Sequence, residues 1–190
     1  MKTRWIPLLL LAGALLARPV RGQEACKTVT LKNPAIKLSE MWVMADKAAK
    51  AWKADAVPAR ITNTSMGPLQ PDGTSTAWSL TFFSAQANAN VAISTFRGSF
   101  TCWASPGAAG RIPDLKPDFF RDGAALYEIA KKNGEAFLKQ GYTVSLGSAA
   151  APSDRHATWY INYSKEGGKD APLSVIVNAN TGKLEDVIKH

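Results

Sequence analysis

Residues 77–82 and 158–163 carry the same alternation, Ala-Trp-Ser-Leu-Thr-Phe and Thr-Trp-Tyr-Ile-Asn-Tyr, with Trp78 and Trp159 offset by 81 positions. Two more landmarks keep nearly that spacing: Trp52 precedes Phe137 by 85 and Gly98 precedes Gly182 by 84. A near-constant offset across three landmarks points to a duplicated unit, so the fold has to be one that can be built twice. In the first copy Trp42, Ala45, Ala49 and Trp52 share one helical face, with Asp46, Lys47, Lys50 and Lys53 on the other. Ser39 is placed to cap this helix and Pro58 stops it. Val57, Ala59 and Ile61 then alternate as a short strand. Pro71-Asp72-Gly73 is a turn, and Trp78–Phe82 and Val91–Phe96 are further strands.

The second copy repeats the order. Asp118 or Asp122 can cap a helix whose apolar stripe is Leu126, Ile129, Ala130 and Phe137, with Gly141 at its end. Strands follow at Tyr142–Leu146, Trp159–Tyr163 and Leu173–Val177, and Leu184–Ile188 adds a short last one. The expected architecture is α+β: two tandem repeats, each a helix packed on an antiparallel sheet of three to four strands. Its boundaries are 23–103 for the first repeat, 104–117 for a Pro- and Gly-containing linker and 118–190 for the second repeat.

Residues 1–22 stand outside this scheme. A basic start at Met1–Arg4, an apolar run from Ile6 to Ala17 and a small residue at Gly22 follow the plan of a secretory signal peptide. Cleavage is expected after Gly22, with Ala17 as the alternative. The apolar run is shorter than the ~20 residues a membrane-spanning helix needs. Gln23-Glu24-Ala25 lacks the apolar residue of a lipidation signal before Cys26. The chain is therefore expected to be exported, to the periplasm or outside a bacterial cell.

Export reinterprets the charge. The formal net charge of the whole chain is +8, but Lys2, Arg4, Arg18 and Arg21 leave with the signal. The rest has 19 basic and 15 acidic residues, with no Lys/Arg run beyond two. Nucleic acid is not an expected partner. Cys26 and Cys102 are the only two cysteines, and in an oxidising compartment they allow one intramolecular disulfide across 76 positions. A closed loop of that size stabilises by ~4 kcal/mol in the chain-entropy model.

Catalytic patterns are missing: no Gly-x-Ser-x-Gly, phosphate loop, His-Glu-x-x-His or Cys-x-x-Cys occurs. His156, in Ser153-Asp154-Arg155-His156, reads as a loop histidine, and His190 is the last residue. No carboxylate pair stands out; Asp170, Glu185 and Asp186 fall at turns and strand ends. No catalytic, metal or cofactor-binding residue is assigned. Trp42, Trp52, Trp78 and Trp159 fit core positions. Trp103, Phe119 and Phe120 lie outside the pattern and are the expected partner surface. Asn63-Thr64-Ser65 and Asn162-Tyr163-Ser164 match the glycan acceptor pattern, and neither is assigned.

The order helix, strand, turn, strand, Gly-rich connection, strand, Thr-Gly turn resembles the PepSY family of small extracytoplasmic domains. The stretch that carries the resemblance is Trp159–Tyr163 followed by Leu173-Ser174-Val175-Ile176-Val177-Asn178-Ala179-Asn180-Thr181-Gly182-Lys183-Leu184. Asn178 stands where that family commonly has Asp, and Phe96-Arg97-Gly98 in the first copy lacks Thr-Gly. The tandem arrangement is also similar to secreted proteinaceous inhibitors built from repeated helix-on-sheet units. The resemblance implies no catalytic residues and a role in restraining proteases or assisting their maturation. The function expected is a non-enzymatic binding module that modulates or inhibits a protease or another envelope protein. The alternatives are a small-ligand or envelope-sensing domain with a cleft between the repeats, and a small hydrolase using Asp154, His156 or scattered carboxylates.

Overall fold

Period-two alternation dominates the chain and sets its architecture. A computed structural model describes residues 23–107, 115, 118–150, 156–165 and 171–190, with backbone alone at 23 and 148–150. The expected signal segment 1–22, most of the linker and the Ser153–Asp154 loop lie outside the described residues. In chain order the strands are β1 (Gln23–Glu24), β2 (Val29–Thr30), β3 (Ile36–Lys37), β4 (Val57–Asn63), β5 (Thr74–Ser75), β6 (Trp78–Ser84), β7 (Ala89–Phe96), β8 (Ser99–Pro106), β9 (Thr143–Ala150), β10 (Ala157–Ser164), β11 (Leu173–Asn178) and β12 (Leu184–Lys189). The helices are α1 (Leu38–Trp52) and α2 (Gly123–Lys139). Residues 104–106, expected in the linker, continue β8.

The expectation of an α+β fold made of two tandem helix-on-sheet repeats is overturned. The chain is mostly β, and its strands form one antiparallel sheet in the order β1-β8-β7-β6-β4-β9-β10-β11-β12, with β2 also on β8. Among the described residues, only β3 and β5 pair apart from it. The junction that merges everything is β4 against β9, with Thr62 opposite Gly147. The Asn63 carboxamide ties the seam: its oxygen accepts the Leu146 N–H and its nitrogen donates to Gly67 O at 3.0 Å. Leu69 N–H adds a bond to Val144 O at 2.8 Å. An edge strand left alone would expose a row of unpaired backbone groups, and this seam removes two such edges at once.

One core runs beneath β4 and β6 to β11, while β2 and β12 stay largely exposed. Trp78, Leu80 and Phe82 of β6 turn inward, as do Trp159, Ile161 and Tyr163 of β10, while the residues between them face outward. Trp42 of α1 meets Phe82 at 5.7 Å and Phe119 at 4.7 Å between ring centroids, and Phe119 meets Trp159 at 6.1 Å. This aromatic bridge fills the space where a cleft between two repeats would have opened. Each large apolar side chain so buried contributes about 1.5–3 kcal/mol. The buried indoles keep their hydrogen bonds, Trp78 to Ile36 O (2.9 Å) and Trp159 to Phe120 O (3.1 Å).

The helix starts differ from expectation in one case. Ser39 lies inside α1, because Lys37 takes the cap position and its N–H is accepted by Glu40 at 3.3 Å. Asp122 caps α2, accepting from the N–H groups of Ala124 and Ala125 at 3.0 and 3.1 Å. α2 is broken at Gly134 (φ −139, ψ 28). There the Tyr163 hydroxyl donates to Ala130 O, the carbonyl that residue 134 would bond in a regular helix. Burial pushes the Tyr163 hydroxyl pKa well up.

Candidate functional site

The Cys26–Cys102 disulfide forms, with Cα atoms 5.3 Å apart, and fastens the start of the described chain to the middle of β8. Ala25 N–H bonds Cys102 O at 2.9 Å, β2 lies on Ser99–Phe100, and Leu31 N–H bonds Gly98 O at 2.7 Å. Past Leu31 the chain leaves the sheet, turned by the Asn33 side chain accepting from Ala35 N–H at 3.1 Å. It then enters β3 and α1. The segment 29–36 therefore stands off α1 and leaves a groove between them.

The groove has two chambers. One, of about 620 Å³, lies between Leu31, Lys32 and Ile36 on the segment and Ser39, Glu40, Val43 and Met44 on the helix. The other, of about 310 Å³, continues along the helix to Lys47, Ala48 and Ala51, over Val29 and Phe100. Leu31 and Met44 line both, so the chambers form one trough. Its walls are apolar and open to water: Val43 is 65% exposed and Val29 48%. Lys32 and Lys47 stand on opposite walls. No carboxylate among the described residues pairs with either; the two ion pairs described lie elsewhere. Glu40 is occupied by the Lys37 N–H at the positive end of α1.

The expected partner surface does not assemble. Trp103 is 51% exposed on the outer face of β8. Phe119 is 2% exposed and belongs to the core. Phe120 is half-buried beside Gly182, held there by its N–H to Ala179 O at 2.8 Å. The groove residues Val29, Leu31, Val43, Met44 and Ala51 were not anticipated. Met44, Ala48 and Ala51 follow a helical spacing of their own beside the Trp42 stripe, which is the signal that pointed to them.

Charged groups gather in two further described pockets, Lys37, Asp72, Arg121 and Asp122 around one of about 310 Å³ and Glu128, Lys131, Glu135 and Lys139 around one of about 340 Å³. His156 Nε2 sits 2.7 Å from Glu185 Oε1, at ion-pair distance without the alignment of a hydrogen bond, and Asn178 donates to the same oxygen at 3.0 Å. Ser174 Oγ lies 3.0 Å from His190 Nε2, but it is also bonded to Asn162 Oδ1 at 2.8 Å and is 5% exposed. That contact holds the last residue to β11. Asp55 has its carboxyl pKa lowered by the Gln86 N–H and the Ser84 hydroxyl, and Asp72 by the Thr74 hydroxyl and N–H. Both are turn-holding acids. Among the described residues no group of three or more His, Cys, Asp or Glu could hold a metal ion. No described helix is long and apolar enough to cross a membrane. Comparison with protein-family models, curated proteins and solved structures finds no match to the chain.

Proposed function

We propose that this chain is an exported, non-enzymatic binding module that seats an apolar stretch of a partner protein in the groove along α1. The observation that carries the reading is the groove itself, a continuous apolar trough whose wall leaves Val43 65% exposed. A contiguous apolar strip open to water, with Val43 and Val29 both exposed along it, is the kind of surface that marks an interaction site. The disulfide supports export, because such bonds persist in oxidising compartments, and the signal-like residues 1–22 agree with it. The PepSY-like stretch at Trp159–Leu184 adds the type of partner, a protease or another envelope protein whose activity the module restrains or assists.

The test is photo-crosslinking in the envelope of the producing cell. A photoreactive side chain at Val43 is expected to capture a discrete protein, while one at Glu128, on the exposed face of α2, captures none. Equal capture from both positions, or none from Val43, overturns the proposal. A captured protease would then be assayed with and without the purified chain.

A further inference from the structure

We infer that the segment received by the groove is acidic as well as apolar: a short amphipathic peptide helix with a hydrophobic stripe and carboxylates flanking it. The inference rests on the groove being the binding site, and it deepens that reading by naming the partner's chemistry.

The argument is the distribution of charge. Residues 26–53, which build both walls, hold six lysines against Glu40 and Asp46. The remaining residues after position 22 carry 13 basic and 13 acidic side chains. The stretch as a whole is basic, and of its charged side chains Lys32, Lys47 and Glu40 line the trough, while Lys37 lines a separate pocket with Asp72 and Lys50 Nζ donates to Ala54 O and Ala56 O. Within the trough the local acid, Glu40, is engaged at the helix start, while Lys32 lines one chamber and Lys47 the other, neither in an ion pair with a described carboxylate. Cations with no ion-pair partner among the described residues, set beside an exposed apolar strip, complement a ligand that brings the opposite charge on the flanks of its own apolar stripe. From Ser39 to Ala51 the helical wall is about 18 Å long at 1.5 Å per residue. That matches three turns of a partner helix laid alongside it.

The experiment uses the chain from residue 23, with its disulfide intact, and two synthetic 14-residue peptides that share a leucine stripe. One has Glu on both flanks and the other has Lys. The Glu peptide is expected to bind at least tenfold tighter in low salt and to lose that advantage as added salt shortens the ~10 Å Debye length. The double variant Lys32→Glu/Lys47→Glu is expected to reverse the preference. Val43→Asp is expected to weaken both peptides, with thermal unfolding recorded for each variant to show that it folds. If both peptides bind equally and Val43→Asp abolishes both, the groove reading stands and the acidic inference falls. If Val43→Asp leaves binding intact, the groove reading falls. Binding of neither peptide, or capture of phosphatidylglycerol vesicles in preference to the Glu peptide, overturns the inference.

Discussion

Gly134→Ala turns the kink in α2 into a measurable quantity. On an exposed, regular helix this change stabilises by about 0.5–1 kcal/mol, because alanine restricts the unfolded chain more than glycine does. Here the new methyl would lie 2.5 Å from Tyr163 Oη and closer still to the ring carbons, where about 3.5–4.0 Å is comfortable. The ring has nowhere to go, since Tyr163 is 0% exposed. Forcing a methyl into a filled core costs about 1–3 kcal/mol. Pushing the ring aside also breaks the Tyr163–Ala130 hydrogen bond, worth about 1 kcal/mol. The helical gain is forfeited, because φ −139 is not a helical value. The expected net effect is a loss of about 3 kcal/mol, read as a lower urea midpoint with unchanged m-value in tryptophan fluorescence. Tyr163→Ala empties the contested space, so Gly134→Ala made in that background should be neutral or slightly stabilising, a coupling of about 3 kcal/mol. A Gly134→Ala protein as stable as the parent, or one that loses equally in both backgrounds, refutes this account of the kink.

Replacing Cys26 and Cys102 together by alanine releases a constraint spanning 76 residues. It is expected to cost about 4 kcal/mol in denaturant unfolding, with the native groove fluorescence of a probe at Val43 lost first; a cost below about 1 kcal/mol would show that the segment adds no global constraint. Asp55 bears on acid stability. Its pKa is lowered in the fold by the Gln86 N–H and the Ser84 hydroxyl, so its contribution is complete above its ordinary value of 3.8 and is lost as pH falls through the lower folded value. Asp55→Asn should therefore unfold with a shallower acid limb than the parent, and an identical limb would refute the assignment.

The elements were legible because their periodicities are strong. Trp42, Ala45 and Ala49 fall on one face of α1, and the alternation at Trp78 and Trp159 marks β6 and β10 as half-buried strands. β8 shows the same alternation, Phe100 and Cys102 inward and Trp103 outward, and it runs on to Pro106 across the Pro- and Gly-containing stretch that reads as a linker from 104. How the strands join was not legible. The β4–β9 seam rests on one residue pair and on Asn63, a polar residue whose sequence context suggests a surface acceptor site. Hydrophobic alternation says which face of a strand is buried; it says nothing about which edge meets which. Similar local order in two stretches therefore does not dictate two separate units. The same limit explains Phe119, whose place outside the periodic pattern suggests a partner surface, and which is buried because its ring packs against Trp42 and Trp159.

The groove was hidden by averaging. Divided at Trp103, the chain after residue 22 has 8 basic and 5 acidic residues in one part and 11 and 10 in the other, and neither part looks basic. Divided instead by what the disulfide holds beside α1, one stretch of 28 residues carries the entire excess. No lysine run announces this, because the six lysines are spaced among apolar residues along the chain, with Lys32 and Lys47 the two that line the trough. Spacing lysines among valines and alanines on a helix and its facing segment is what places charge on the rim and leaves the floor apolar. A contiguous basic run would have attracted any polyanion. The interleaved pattern selects a ligand that must satisfy both features at once, and that is the physical content of the acidic, apolar partner inferred here.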